Sequence, residues 1–248
     1  MAEMKCWDRF DFRASAMFTG HPNRTESLRR ELDRVGLTVQ DFWGHPNVFD
    51  KFIQAHVRCT KGTRQTGFFN ATMNHYHILK TAFELGRQHV LVVENDIRFL
   101  KDTVLLAEIV DSLPEDFDIA LFDWEAPHKT WQYATPAQLA APRINGHWAR
   151  FGDLRSFACY AMSRKGMAHW LDCVERTATN PMAKFLICDM YCKPGYLDPT
   201  LNSYCAIPNA GVQGTVERDG GGESGISPAD LKWQKYSLAG IRREDYAT

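Results

Sequence analysis

The sequence lacks an excess of either charge, a long apolar run and a regular cysteine framework, and each absence removes a class of protein. Lys and Arg number 29 against 30 Asp and Glu, a formal charge of -1. No global basic field therefore gathers nucleic acid or anionic lipid, and nucleic acid is not expected as a partner. Apolar runs such as Val90 to Val93 fall far short of the roughly 20 residues that cross a bilayer. The N-terminal stretch MAEMKCWDRFDF has no signal-peptide core, so the chain reads as unexported and a cytoplasmic location is expected. Seven cysteines, odd in number and irregular in spacing, suit a reducing compartment in which they serve as small core residues. Cys188 and Cys192 come nearest to a ligand pair, but with no CxxC and no matching histidine pair a zinc site is not expected.

What is present is enough for a substantial core. The chain has 248 residues, 44% hydrophobic and 24% charged, and by surface scaling about three quarters of its unfolded surface can be buried. A short apolar strand is expected from Ala14 to Phe18, then a helix opened by the Asn23/Glu26 spacing of a capping box, striped by Leu28, Leu32 and Val35 and closed at Gly36. Thr38 to Trp43 reads as a second strand, and Phe69 to Leu85 as a helix closed by Gly86. His89 to Val93 is a β-branched run of the kind buried on both faces of a parallel sheet, and it breaks abruptly into Glu94, Asn95 and Asp96. A helix from Asp102 to Leu113, a strand from Phe117 to Phe122, and a strand from Phe157 to Met162 leading into a helix capped by Ser163 complete the readable elements. Residues 44–67 and 124–150 carry no clear period, and the glycine-rich stretch 214–225 reads as a mobile loop able to close over a ligand. No linker divides the chain, so one domain spanning 1–248 is expected.

Alternation of strand and helix implies an α/β fold around a mostly parallel sheet. In such sheets ligands bind at the carboxyl ends of the strands. Glu94 and Asp96 stand at that point, and two carboxylates one residue apart can hold a divalent cation through oxygen ligands; equally, strand-end loops often carry acids that face water. Asp116 and Asp118 have the same spacing but precede their strand, at the end where ligands seldom bind, and are set aside as a metal site.

Several ordered blocks point further. The blocks AMFTGHPNRTESLRRELDRVGL, MNHYHILKTAFELGRQHVLVVENDIRF, FACYAMSRKGMAHWL, CDMYC and LNSYCAIPNAGVQ, spread from about residue 14 to 226, together resemble glycosyltransferase family 25, the family of bacterial lipooligosaccharide and collagen galactosyltransferases. Asn95 stands where that pattern has the middle aspartate of an acidic triplet, and Asn74 where it has a serine before His75. The resemblance implies a GT-A type, Rossmann-like three-layer fold, with a donor-binding part over about 14–125 and an acceptor side over about 126–248. It implies an inverting transfer of a hexose, galactose from UDP-galactose, to a hydroxyl of a cell-surface glycan precursor such as lipooligosaccharide. A divalent cation, Mn2+ or Mg2+, assists. A lipid-borne acceptor would bring the protein to the inner membrane face. The alternative is a silent relative that binds a glycan or nucleotide in the same cleft.

The resemblance also distributes roles. The cation falls to Asp96 with Glu94 nearby, and donor binding to Arg24, Glu94, Asn95 and Arg164. Asp189, flanked by Cys188, Met190 and Tyr191, is the candidate base, with a capping or salt-bridged aspartate as an equal reading. His75 is placed in the cleft as a second catalytic candidate, against a buried core histidine. His77, two residues on, cannot share its face. Asp153 and Arg155 are assigned to the acceptor side, Lys165 to an exposed first helical turn, and Trp124, Trp131, Tyr133 and Trp148 to sugar stacking or the core.

Overall fold

The computed structural model describes residues 5–17, 22–43, 63–124, 140–151, 156–180 and 198–213. After a 3-10 turn at Lys5–Arg9 the strands are β1 (Phe12–Met17), β2 (Gln40–Trp43), β3 (His89–Glu94), β4 (Ile97–Phe99) and β5 (Ile119–Leu121). β6 (Ala140–Arg143), β7 (Trp148–Phe151), β8 (Cys159–Ser163), β9 (Ser203–Ala206) and β10 (Gly211–Gln213) follow. The helices are α1 (Pro22–Arg34), α2 (Thr63–Glu84), α3 (Thr103–Asp111) and α4 (Arg164–Thr179).

The main sheet has eight strands in the order β2-β1-β3-β8-β5-β9-β7-β6, and β4 pairs with β10 in a separate ribbon. β1 runs parallel to β2 and β3, and β5 parallel to β9, whereas β8 and β7 oppose their neighbours. Followed across the sheet, six of the eight strands point one way and two, β8 and β7, the other. This is the expected α/β architecture with a mostly parallel sheet. The reversal of β8 was not legible, because an apolar run buried on both faces carries no sign of its direction.

Packing follows from the sequence pattern. Val90 to Val93 of β3 are wholly buried and pair with β1 on one side and β8 on the other. Right-handed crossovers from β1 to β2 and from β2 to β3 place α1 and α2 on opposite faces. α2 packs with α4 over β1 to β3. On the other face the 3-10 turn ties α1 to α3: Trp7 Nε1 donates to Val35 O at 3.0 Å, and Arg9 NH1 to Val110 O at 2.6 Å. α4 closes tightly on the sheet because Gly166 has no side chain; a Cβ there would lie 2.0 Å from the Asp118 carbonyl oxygen.

Local signals hold in most places. Ser163 Oγ accepts from Gly166 N at 3.2 Å, the cap expected for α4, and Gly36 and Gly86 take positive φ at the ends of their helices. The capping box is corrected: α1 begins at Pro22, so Asn23 lies inside the helix and a proline, lacking the N–H that would be orphaned there, opens it. β6 and β7 form a hairpin in a stretch with no assigned element. Its turn is Ile144 to His147, with Asn145 Oδ1 accepting from His147 N and Trp148 N, each at 2.9 Å. An asparagine whose side chain accepts from the backbone two residues on is the turn signal that went unread.

Candidate active site

The chain passes from β1 through α1 to β2 on one side, then through α2 to β3 on the other side of β1. The carboxyl ends of β1 and β3 are therefore a topological switch point, where the two crossovers diverge and leave a crevice. Arg24 is in the first turn of the helix that follows β1, and Glu94, Asn95 and Asp96 end β3. The structure brings these residues together. Arg24 NH1 lies 3.6 Å from Asp96 Oδ2. Asn95 N donates to Ala16 O of β1 at 3.2 Å. A cation in the first helical turn gains nothing from the helix dipole; here its carboxylate partner accounts for it.

The other carboxylate faces a different partner. His75, on α2 and fully buried, sits with Nε2 3.0 Å from Glu94 Oε1 and Nδ1 3.1 Å from the Tyr160 hydroxyl. A carboxylate only accepts, so Nε2 carries the proton, and in the neutral ring Nδ1 then accepts from Tyr160. Phe157 stacks on Tyr160 at 3.9 Å and meets His75 edge-on at 5.5 Å, which fixes the imidazole. His75 is thus a buried histidine that reaches the carboxyl end of β3 through its contact with Glu94. His77 turns away onto Phe42, 5.3 Å between rings.

The resemblance implies a divalent cation, and the donor set fits one. Glu94 and Asp96, 9% and 7% exposed, offer hard carboxylate oxygens at the crevice. Among the described residues no group of three or more His, Cys, Asp or Glu is gathered. A cation here would take its remaining ligands from substrate phosphates and water, as Mg2+ commonly does.

Not every expected residue comes to this crevice. Arg164 follows β8, whose Ser163 pairs with His89 at the opposite end of β3. Its NH1 donates to Phe83 O at 2.9 Å and its guanidinium lies 4.1 Å over the Phe83 ring, so it serves the packing of α2 on α4. Lys165 pairs with Asp118 at 3.0 Å, also at that far end. Trp124 and Trp148 are core, their indole N–H groups donating to Ala206 O at 2.6 Å and Ile109 O at 2.9 Å. Asp189, Asp153, Arg155, Trp131, Tyr133, Cys188, Cys192 and the 214–225 stretch lie outside the described residues.

Two groups at the carboxyl end were missed. Asp123, fully buried, follows β5 just as Glu94 ends β3, and β8 alone separates the two strands, a span of about 10 Å. Ser156 donates a short hydrogen bond to Asp123 Oδ2 and holds φ at 98°, a backbone conformation that L-residues seldom adopt. Strain of this kind concentrates at functional sites. The acid after a buried strand was the signal available for Asp123; nothing in the sequence marked Tyr160.

No family model matches the chain, and no curated protein matches it in sequence. Among solved structures, a mannose-1-phosphate geranyltransferase from Thermus thermophilus is 11% identical over 79% of this chain and 73% of its own, with a TM-score of 0.41. A glycosyltransferase involved in glycosylation of the major capsid of PBCV-1 is 8% identical over 93% of this chain and 100% of its own, with a TM-score of 0.38. Both scores lie below 0.5. Neither likeness carries a family or an activity over to this chain.

Proposed function

We propose that the protein is a glycosyltransferase that binds a nucleoside-diphosphate sugar in the crevice at the carboxyl ends of β1 and β3. The observation that carries this reading is the convergence of Arg24, Glu94 and Asp96 at the switch point, with Glu94 braced by a fully buried His75. By the resemblance of its sequence blocks the donor is UDP-galactose and the acceptor a hydroxyl of a cell-surface glycan precursor such as lipooligosaccharide, reached at the cytoplasmic membrane face.

Asp96 and Glu94 would hold the Mn2+ or Mg2+ ion, which when bound neutralises charge on the leaving diphosphate. Arg24, 3.6 Å from Asp96, would pair with a phosphate oxygen of the donor, since a guanidinium matches phosphate geometry in two hydrogen bonds. His75 acts as a positioning residue, holding Glu94 through Nε2–H while Tyr160 fixes the tautomer. Inversion requires the acceptor oxygen to form its bond to the anomeric carbon as the bond to the diphosphate oxygen breaks, and the hydroxyl proton passes to a carboxylate on the acceptor side. Asp189 holds that role by resemblance.

The test is a donor-turnover assay over a panel of nucleotide sugars with Mn2+ and added saccharide acceptors, comparing the native chain with Asp96→Ala. Release of one nucleoside diphosphate coupled to sugar transfer, abolished in the variant, is expected. Nucleotide binding without turnover of any donor would instead make the protein a silent relative, and unchanged turnover in Asp96→Ala would remove the cation from Asp96.

A further inference from the structure

One stripe of α1 is tied to the segment that begins with Asp96. Along the helix, Arg24 faces Asp96 at 3.6 Å and Ser27 Oγ accepts from the Arg98 guanidinium. Further on, Glu31 Oε1 accepts from Phe99 N at 2.7 Å, and Arg34 donates to Phe99 O at 3.2 Å and to Leu100 O at 3.0 Å. Positions 24, 27, 31 and 34 recur at helical spacing and lie on one side of the helix. Their partners follow one another along residues 96–100. The rungs of this ladder are unequal. Glu31, 5% exposed, is gripped by the Arg34 guanidinium through two contacts of 2.6 and 3.1 Å. Among the described residues β4 has β10 as its one strand partner. The carboxylate and guanidinium meet the N–H and C=O of Phe99 as a second strand would. Arg24 and Asp96, at the other end, form the looser rung.

The apolar stripe of Leu28, Leu32 and Val35 buries α1, but hydrophobic attraction is non-directional and sets no register along the helix axis. Stability alone does not call for Glu31 either, since apolar residues of similar volume often replace a buried ion pair without loss. What the pair supplies is position. A forked guanidinium–carboxylate contact, hydrogen-bonded at both ends to a strand backbone, leaves the helix one register. Arg24 stands seven residues before Glu31, about 10 Å along a rigid helix. We propose that Glu31 and Arg34 are positioning residues for the crevice: by fastening α1 to β4 they set the distance at which Arg24 stands from Asp96, and with it the gap that receives the diphosphate and its cation. This inference rests on the nucleotide-sugar reading of the crevice and deepens it.

The experiment is a double-mutant cycle on the full chain, read by calorimetric titration of uridine diphosphate with Mn2+ at a temperature where every variant is folded. Arg24→Ala is expected to weaken binding about tenfold, the size of a lost hydrogen bond to a charged group. Glu31→Gln keeps an acceptor for Phe99 N and loses the charge that grips Arg34; it is expected to weaken binding about fivefold from about 10 Å away. The double variant is expected to bind about tenfold more weakly than the native chain, no worse than Arg24→Ala alone, because Arg24 is already out of place. Independent residues that far apart would multiply to about fiftyfold. A merely structural Glu31 would lower Tm and leave the affinity of the folded protein alone. Arg34→Gln, at a side chain 29% exposed, breaks the same pair from the other side and serves if the Glu31 variant misfolds. The inference is overturned if Glu31→Gln and Arg34→Gln bind like the native chain, or if their losses multiply with that of Arg24→Ala. Multiplied losses in a chain that transfers sugar sink the positioning role alone; coupled losses in a chain that transfers none sink the transferase alone. Failure of the native chain to bind uridine diphosphate overturns both.

Discussion

Glu94-x-Asp96 and Asp116-x-Asp118 are the same sequence pattern at opposite ends of one sheet, and they have opposite fates. At the amino end every oxygen of the Asp116/Asp118 pair is engaged by the chain. Asp118 Oδ1 accepts from Ser163 Oγ at 2.9 Å, and Oδ2 from Lys165 Nζ at 3.0 Å and Asn202 N at 2.9 Å. Asp116 accepts from Tyr204 O–H at 3.1 Å and Asn202 Nδ2 at 3.0 Å. Those acids fasten α4 and β9 to β5. At the carboxyl end an arginine and a histidine meet the pair, and the asparagine between the two acids has unbonded atoms. The saturated pair is a joint in the fold, whereas the other pair, beside unmet polar atoms at the carboxyl end of the sheet, is the one proposed to receive a ligand.

That contrast can be broken from either side. The largest effect is expected for Asp118→Ala, which strands a partly buried hydroxyl, ammonium and amide: about 3 kcal/mol of stability, a Tm fall of roughly 6–12 °C, read by calorimetry, with nucleotide affinity of the folded fraction unchanged. Asp96→Ala is the converse. Turnover of the folded protein drops by about a hundredfold or more; Tm falls as well, because the largely buried carboxylate that Arg24 faces is removed, but the loss of turnover persists at temperatures where the variant is fully folded.

The smallest expected effect is at Tyr76, away from both pairs. Its hydroxyl donates to Glu175, and burial first, then that hydrogen bond, lift its ionisation well above the ordinary value. A raised folded-state value means the contribution is complete below about pH 10, where the unfolded tyrosine titrates, and is lost as the pH climbs beyond it. Tyr76→Phe is therefore expected to melt lower by about 1 kcal/mol at neutral pH, with the gap to the native chain closing in denaturation curves taken above pH 10.

Much of this was legible because local chemistry dictates it. The run His89 to Val93 could only be a doubly buried strand, and the acids after it could only stand at the end where ligands bind. Ser163 announced α4 through the same hydroxyl that now caps it. What escaped depended on contacts distant in the chain. Arg164 looks like a cleft residue until the reversed direction of β8 carries it to the wrong end of the sheet. Tyr160 matters only because β8 lies beside β3, and Asp123 because β8 separates it from β3 by a single strand. The β6–β7 hairpin was different in kind, since Asn145, whose side chain closes the turn, marked it locally.

The most direct test of the account is the nucleotide-induced thermal shift, with Mn2+ present, in Asp96→Asn beside Asp116→Asn. Binding to the native state raises Tm by mass action. The account predicts that one nucleoside diphosphate raises the Tm of the native chain and of Asp116→Asn equally and leaves Asp96→Asn unmoved. A shift preserved in Asp96→Asn and lost in Asp116→Asn would place the ligand at the other end of the sheet and contradict the account.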